Sequence, residues 1–87
     1  MEIEQLRMFA AVAETGSFTR AAEQLYVSHS GVSRAVSALE KELSVRLIER
    51  DNKVIGLTDA GKTVLSKARE IIRLADELSE SVRVGKM

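Results

Sequence analysis

The chain has 87 residues, no cysteine, no proline and no tryptophan, and its thirteen Lys and Arg balance thirteen Asp and Glu to a formal net charge of zero. That length makes one small domain. The missing cysteines remove disulfides, thiolate metal centres and cysteine nucleophiles, and the single histidine, His29, leaves no histidine-built metal site within one chain. No apolar run approaches the roughly 20 residues that span a bilayer, and the start Met1-Glu2-Ile3-Glu4 is not a signal peptide, so a cytoplasmic domain without cofactor is expected. Zero net charge speaks at first against a nucleic-acid partner, because such domains usually carry a basic excess.

In chain order, Ile3, Leu6, Phe9, Ala10 and Ala13 recur at helical spacing and predict a first amphipathic helix over 3–14, stopped by Thr15-Gly16. Ser17 or Thr19 can cap a short second helix through Leu25, with Ala21, Ala22 and Leu25 inward and the adjacent alanines allowing close helix approach. Tyr26-Val27-Ser28 is a tight turn, and Ser28 is placed to cap a third helix over 29–43. Val32, Val36, Leu39 and Leu43 form its buried stripe. The period then changes: residues 47–57, apolar runs on either side of Asp51-Asn52, read as a small hairpin. Thr58-Asp59 opens a last helix that runs without a breaker to about residue 83, roughly 38 Å at 1.5 Å per residue. The expected class is mainly α, with residues 1–58 as one unit and 59–87 as a long helix leaving it.

A short helix, a tight turn and a second helix make the helix-turn-helix, whose second helix can enter a major groove. Once the buried stripe of the third helix is set aside, His29, Ser30, Ser33, Arg34, Ser37 and Lys41 remain, all polar or cationic. A plain solvated face would favour Glu, Lys and Gln over this much serine. Between Thr15 and Leu39 the sole acid is Glu23, against Arg20 and Arg34, so the neutral total is a sum over unlike faces. Arg34 can bond a guanine or a phosphate through two N–H groups.

The order Ala21-Ala22-Glu23-Gln24-Leu25, Val27-Ser28, Val32-Ser33-Arg34, Leu39-Glu40, Leu43, Val45-Arg46-Leu47-Ile48-Glu49-Arg50 and Leu57-Thr58-Asp59-Ala60-Gly61 resembles the N-terminal DNA-binding domain of LysR-type transcriptional regulators, over essentially the whole chain. The resemblance implies a winged helix-turn-helix with the 29–43 helix in the major groove, the 47–57 hairpin as the wing, residues 17–20 on the phosphate backbone, and a linker helix that pairs two subunits. On it, His29, Ser30, Ser33 and Arg34 are expected to read bases. Ser17, Thr19, Arg20, Ser37, Arg50 and Lys53 are expected to hold phosphates or the minor groove, with Ser28 at the turn between them. The chain departs from the family at His29 and Ser30, where glutamine and proline are usual, and at Ser44, where glycine is usual. Lys53 is the wing's one cation beyond Arg50. The resemblance implies that relatives continue into an effector-binding domain after the linker helix; none is expected within these 87 residues, whether they are an excised domain or a short natural protein.

Along the last helix Val64, Ala68, Ile71, Ala75, Leu78 and Val82 keep a heptad seam, widened by Leu65 and Ile72. Its start can cover its own domain. Its far end outreaches a core of this size, which favours a homodimer and hence a duplex with inverted half-sites. A winged helix that binds only protein is the alternative. An enzyme fits poorly: Ser28 and His29 are adjacent with no orienting acid nearby, and no glycine-rich phosphate loop is present.

Overall fold

The computed structural model describes residues 1–51 and 54–84. In chain order these form α1 (Ile3–Thr15), α2 (Phe18–Leu25), α3 (His29–Leu43), β1 (Ile48–Asp51), β2 (Val54–Leu57) and α4 (Asp59–Val84). The expected mainly helical class, the hairpin and the long last helix are all present, and α3 has the expected bounds.

Each boundary has a local cause. Gly16 ends α1 in the left-handed region, φ 70°, with its N–H on the Val12 carbonyl. Between the two candidate caps of α2, Ser17 is the one used: its Oγ accepts the Arg20 N–H at 3.1 Å. Ser28 Oγ likewise accepts the Gly31 N–H at 3.0 Å and starts α3. Such caps are each worth about 1 kcal/mol. Both α2 and α3 end on a non-glycine residue in the left-handed region, Tyr26 at φ 58° and Ser44 at φ 55°. The same bonding pattern closes both: Val27 N–H reaches the Ala22 carbonyl at 3.0 Å, and Val45 N–H reaches the Glu40 carbonyl at 3.2 Å.

α1 is the hub, packed against α2, α3 and α4. That is why Ala11 and Val12 are buried along with the expected stripe of Leu6, Phe9 and Ala10. Phe9, Val12, Ala21, Val32, Val36, Leu39 and Leu47 are fully enclosed, and each large one contributes about 1.5–3 kcal/mol by burial. Leu65 and Ala68 of α4 complete the same core, so the two units expected on either side of residue 58 share it.

The hairpin is antiparallel, pairing Ile48 with Leu57, Glu49 with Gly56, Arg50 with Ile55 and Asp51 with Val54. Two devices fix it to the helices. The Glu40 carboxylate, in the last turn of α3, accepts the Leu47 N–H at 2.8 Å and the Ile48 N–H at 3.2 Å. Thr58 donates its hydroxyl to the Arg46 carbonyl, and the same oxygen accepts the Gly61 N–H at 2.9 Å. The chain at Leu47 then lies so close to α4 that a Cβ at Gly61 would collide with the Leu47 carbonyl. α4 runs on past the core and gives the molecule a 51 Å long axis against 24 and 18 Å across.

Candidate nucleic-acid interface

The two faces of α3 separate cleanly. Val32, Ala35, Val36 and Leu39 are buried against α1 and α2, whereas His29, Ser30, Arg34, Ser37 and Lys41 are exposed and Ser33 is half-buried. Ahead of α3, Thr19 and Arg20 are exposed in the first turn of α2, and Ser17 is half-buried beneath them. The hydroxyl oxygens of Ser17 and Ser28 already serve as helix caps, with Ser28 Oγ also 3.3 Å from Ser30 Oγ. A hydroxyl acting as acceptor in a cap still carries a proton that a phosphate oxygen can accept. A Cβ at Gly31 would stand 3.0 Å from Ser28 Oγ, a tight contact with the cap.

Phe18 joins three elements. Its ring, buried at the start of α2, lies 5.9 Å from the imidazole of His29 at the start of α3, tilted by 44°. The guanidinium of Arg50, on β1, sits 4.6 Å above the same ring, a cation–π contact. So the first residues of α2, the first residue of α3 and the first wing strand converge on one aromatic ring. Three groups of residues singled out from the sequence meet there. Lys53, the expected wing cation, lies outside the described residues.

The charges segregate in the same way. Arg7 bonds Asp76 at 2.9 Å and Glu4 at 3.4 Å, and the hydrogen bond to Asp76 raises its pKa above the ordinary arginine value. Arg69 pairs with Glu14 at 3.3 Å, Arg73 with Glu77 at 2.7 Å, Arg83 with Glu80 at 3.7 Å and Lys67 with Glu70 at 3.9 Å. All of these lie on α1 and α4. Among the described residues, Arg20, Arg34, Lys41, Arg46, Arg50 and Lys62 form no ion pair, and they belong to α2, α3, the wing and the first turn of α4. The neutral chain is therefore a helix pair whose described cations are paired with carboxylates, joined to a reading head whose described cations are not. Arg46 and Lys62 are not singled out by the sequence, where nothing distinguishes them from ordinary solvated cations.

The sequence does not show Glu40 in its structural role either. A hint is present: an acid in the last turn of a helix faces the negative end of the dipole. Such a residue calls for a compensating partner, here two backbone donors.

The seam of α4 divides. Ala68 is 1% exposed inside its own core and cannot face a partner, which corrects its place in the expected dimer face. Val64 and Ile72 pack partly against that core, and Ala75 is half-buried. Ile71, Leu78 and Val82 stay exposed, at 41%, 68% and 65%, and Leu74 joins them at 56%. The apolar stripe left open is thus Ile71, Leu74, Leu78 and Val82, shifted towards the end of α4. Beside it, a groove of about 750 Å³ between α1, the end of α2 and α4 has Ala10, Ala11, Leu25 and Ile72 in its lining. No helix among the described residues is long and apolar enough to cross a membrane.

A capped short helix, a tight turn, a polar-faced second helix and a two-stranded wing define the class: a winged helix-turn-helix domain of the DNA-binding kind. Residues 3–62 match the family described as bacterial regulatory helix-turn-helix proteins, lysR family, and the chain belongs to that family. The transcriptional regulator TcbR of Pseudomonas sp. strain P51 is 43% identical over 85 residues, covering 98% of this chain and 29% of that protein. The chain spans between about a quarter and about half the length of the curated relatives it matches first. The DNA-binding domain of CbnR, in a complex with DNA, superposes with a TM-score of 0.90 at 41% identity over 100% of both chains. The BenM DNA-binding domain on catB site 1 DNA gives 0.90 at 32% identity, covering 95% of this chain and 92% of that one.

Proposed function

We propose that this domain binds double-stranded DNA in a sequence-dependent way as the DNA-binding and dimerisation part of a bacterial transcriptional regulator acting in the cytoplasm. The observation that carries the proposal is the segregation of charge: among the described residues, cations without an ion pair gather on the helix-turn-helix, the wing and the first turn of α4, while those on α1 and further along α4 are paired with carboxylates. In this reading α3 lies in the major groove, with His29, Ser30, Ser33 and Arg34 towards base edges and Ser28 at the entry. Ser17, Thr19, Arg20 and Ser37 hold the phosphate backbone, and Arg50 and Lys53 carry the wing onto the neighbouring strand or minor groove. Phosphate contacts set the register and the base contacts specify. The likeness to the DNA-binding domains of CbnR and BenM, both solved in complex with DNA, supports DNA binding by this fold.

Two copies paired through Ile71, Leu74, Leu78 and Val82 would present two α3 helices to one duplex, related by a two-fold axis, so the target has inverted half-sites. Few unpaired cations per protomer make that doubling important for affinity. Among the described residues no carboxylate pairs with His29 or hydrogen-bonds the serines of the site, which favours a role in binding rather than turnover.

Selection from a pool of random duplexes tests the proposal. The expected product is an enriched motif in two inverted halves whose centres are about one or more helical turns apart. A selection that yields no motif, with equal retention of all duplexes, contradicts it.

A further inference from the structure

We propose that His29 meets the duplex as its imidazolium, so that each protomer takes up a proton on binding DNA and binds more tightly as the pH falls from about 8 to about 6. The inference rests on the DNA-binding reading above and adds a protonation step to it.

The position is specific. His29 is the one histidine of the chain, the first residue of α3, and exposed. Phe18 buttresses its ring, and the same Phe18 ring carries Arg50, so the imidazole is held at the point where α2, α3 and the wing meet. Each element brings its own charges to that point. α3 has no acid in its first turn, and its next charged residue is Arg34. α2 offers Arg20 in its first turn, with Glu23 a turn further on. β1 offers Arg50 over Phe18, and strand alternation turns Glu49 to the other face. No carboxylate among the described residues lies within 4.0 Å of His29. The described residues therefore bring no counter-charge within ion-pair distance of an imidazolium here, whereas a duplex brings a phosphate every few ångströms.

Histidine is the side chain whose ordinary titration falls between pH 5 and 8. A group whose proton affinity is higher in the complex than in the free protein strengthens binding fully below its free pKa. That gain is lost as the pH rises through its bound pKa. One proton taken up on binding tightens a complex by at most about tenfold for each unit the pH falls, so a several-fold gain per protomer is expected between about pH 8 and about pH 6. Phosphodiesters do not titrate in this window. The Met1 α-amino group sits on Glu42 at 3.0 Å at the far end of α3 and is common to every variant compared.

The experiment is fluorescence polarisation with one selected duplex at constant ionic strength across that pH range, for the wild-type chain and H29Q. Glutamine keeps a hydrogen-bonding side chain at this position without the ionisable ring. In parallel, the single imidazole is followed by NMR in the free and bound protein. The expected result is a several-fold gain in affinity towards pH 6, absent in H29Q, with the imidazole titrating at higher pH in the complex. Tight binding with the same pH slope in H29Q overturns the inference and leaves DNA binding standing, as does an imidazole titration unmoved by the duplex. Absence of binding to any duplex at every pH and low salt overturns both.

Discussion

Glu40 offers the sharpest structural prediction. Its carboxylate takes the N–H groups of Leu47 and Ile48 at 2.8 and 3.2 Å, and both residues are buried, at 0% and 2% exposure. Substituting Glu40→Ala removes a charged acceptor from two donors at the point where α3 hands over to the wing. A hydrogen bond to a charged group contributes about 1.5–3 kcal/mol net, and a buried donor left unpaired costs about 1–3 kcal/mol. Glu40 is half-buried, so water can reach part of the gap, and the expected loss is about 2–4 kcal/mol rather than the full sum. A domain of this length has a total stability of about 4–13 kcal/mol. At about 4–8 °C per kcal/mol, Tm falls by roughly 8–32 °C. Glu40→Gln keeps one acceptor oxygen in place and loses the charge, so it should fall between wild type and Glu40→Ala. Thermal unfolding followed by far-UV circular dichroism reads all three, at one protein concentration because pairing of chains shifts Tm. A loss below about 0.5 kcal/mol for Glu40→Ala, or equal losses for the two variants, refutes the role of the carboxylate as the wing's anchor.

Three further changes test separate features. Ser44→Gly should stabilise the domain by about 1 kcal/mol in urea unfolding, because φ 55° at the end of α3 strains a side chain and not glycine. An unchanged midpoint would show that the serine is unstrained. Gly61→Ala should cost several kcal/mol, at least as much as an overpacked core position, since its Cβ would strike the backbone carbonyl of Leu47; wild-type stability for that variant would mean that α4 and the wing do not approach this closely. Leu78→Asp, at a position 68% exposed and outside the core, should leave the fold intact and shift sedimentation from dimer to monomer. A dimer mass retained in Leu78→Asp rules out the outer α4 stripe as the pairing surface.

Much of the fold is legible in the sequence because local chemistry decides it. Gly16, Ser28 and Thr58 mark element ends by rules that act over three or four residues, and the spacing of Val32, Val36 and Leu39 sets which side of α3 is buried. What stays hidden depends on tertiary approach. Glu40 meets Leu47 only after the chain has turned through Ser44, and Arg50 meets His29 only through the ring of Phe18. A heptad pattern on α4 cannot say where the domain's own core stops, so it puts Ala68 on the partner face and passes over Leu74. The zero net charge is resolved in the same terms. Ion pairs across α1 and α4 neutralise cations far from the reading head, and the sum over the chain conceals the difference.

The most direct test of the central claim is the salt dependence of duplex binding for wild type, Arg20→Ala and Arg73→Ala. Wild-type affinity should fall steeply with rising salt. Arg20→Ala should bind more weakly, with a slope shallower by about 0.9 because one phosphate fewer is neutralised. Arg73→Ala, whose guanidinium is already held by Glu77 at 2.7 Å, should keep the wild-type slope. Salt-independent binding, or equal flattening by both substitutions, would contradict the assignment of the uncompensated face to DNA.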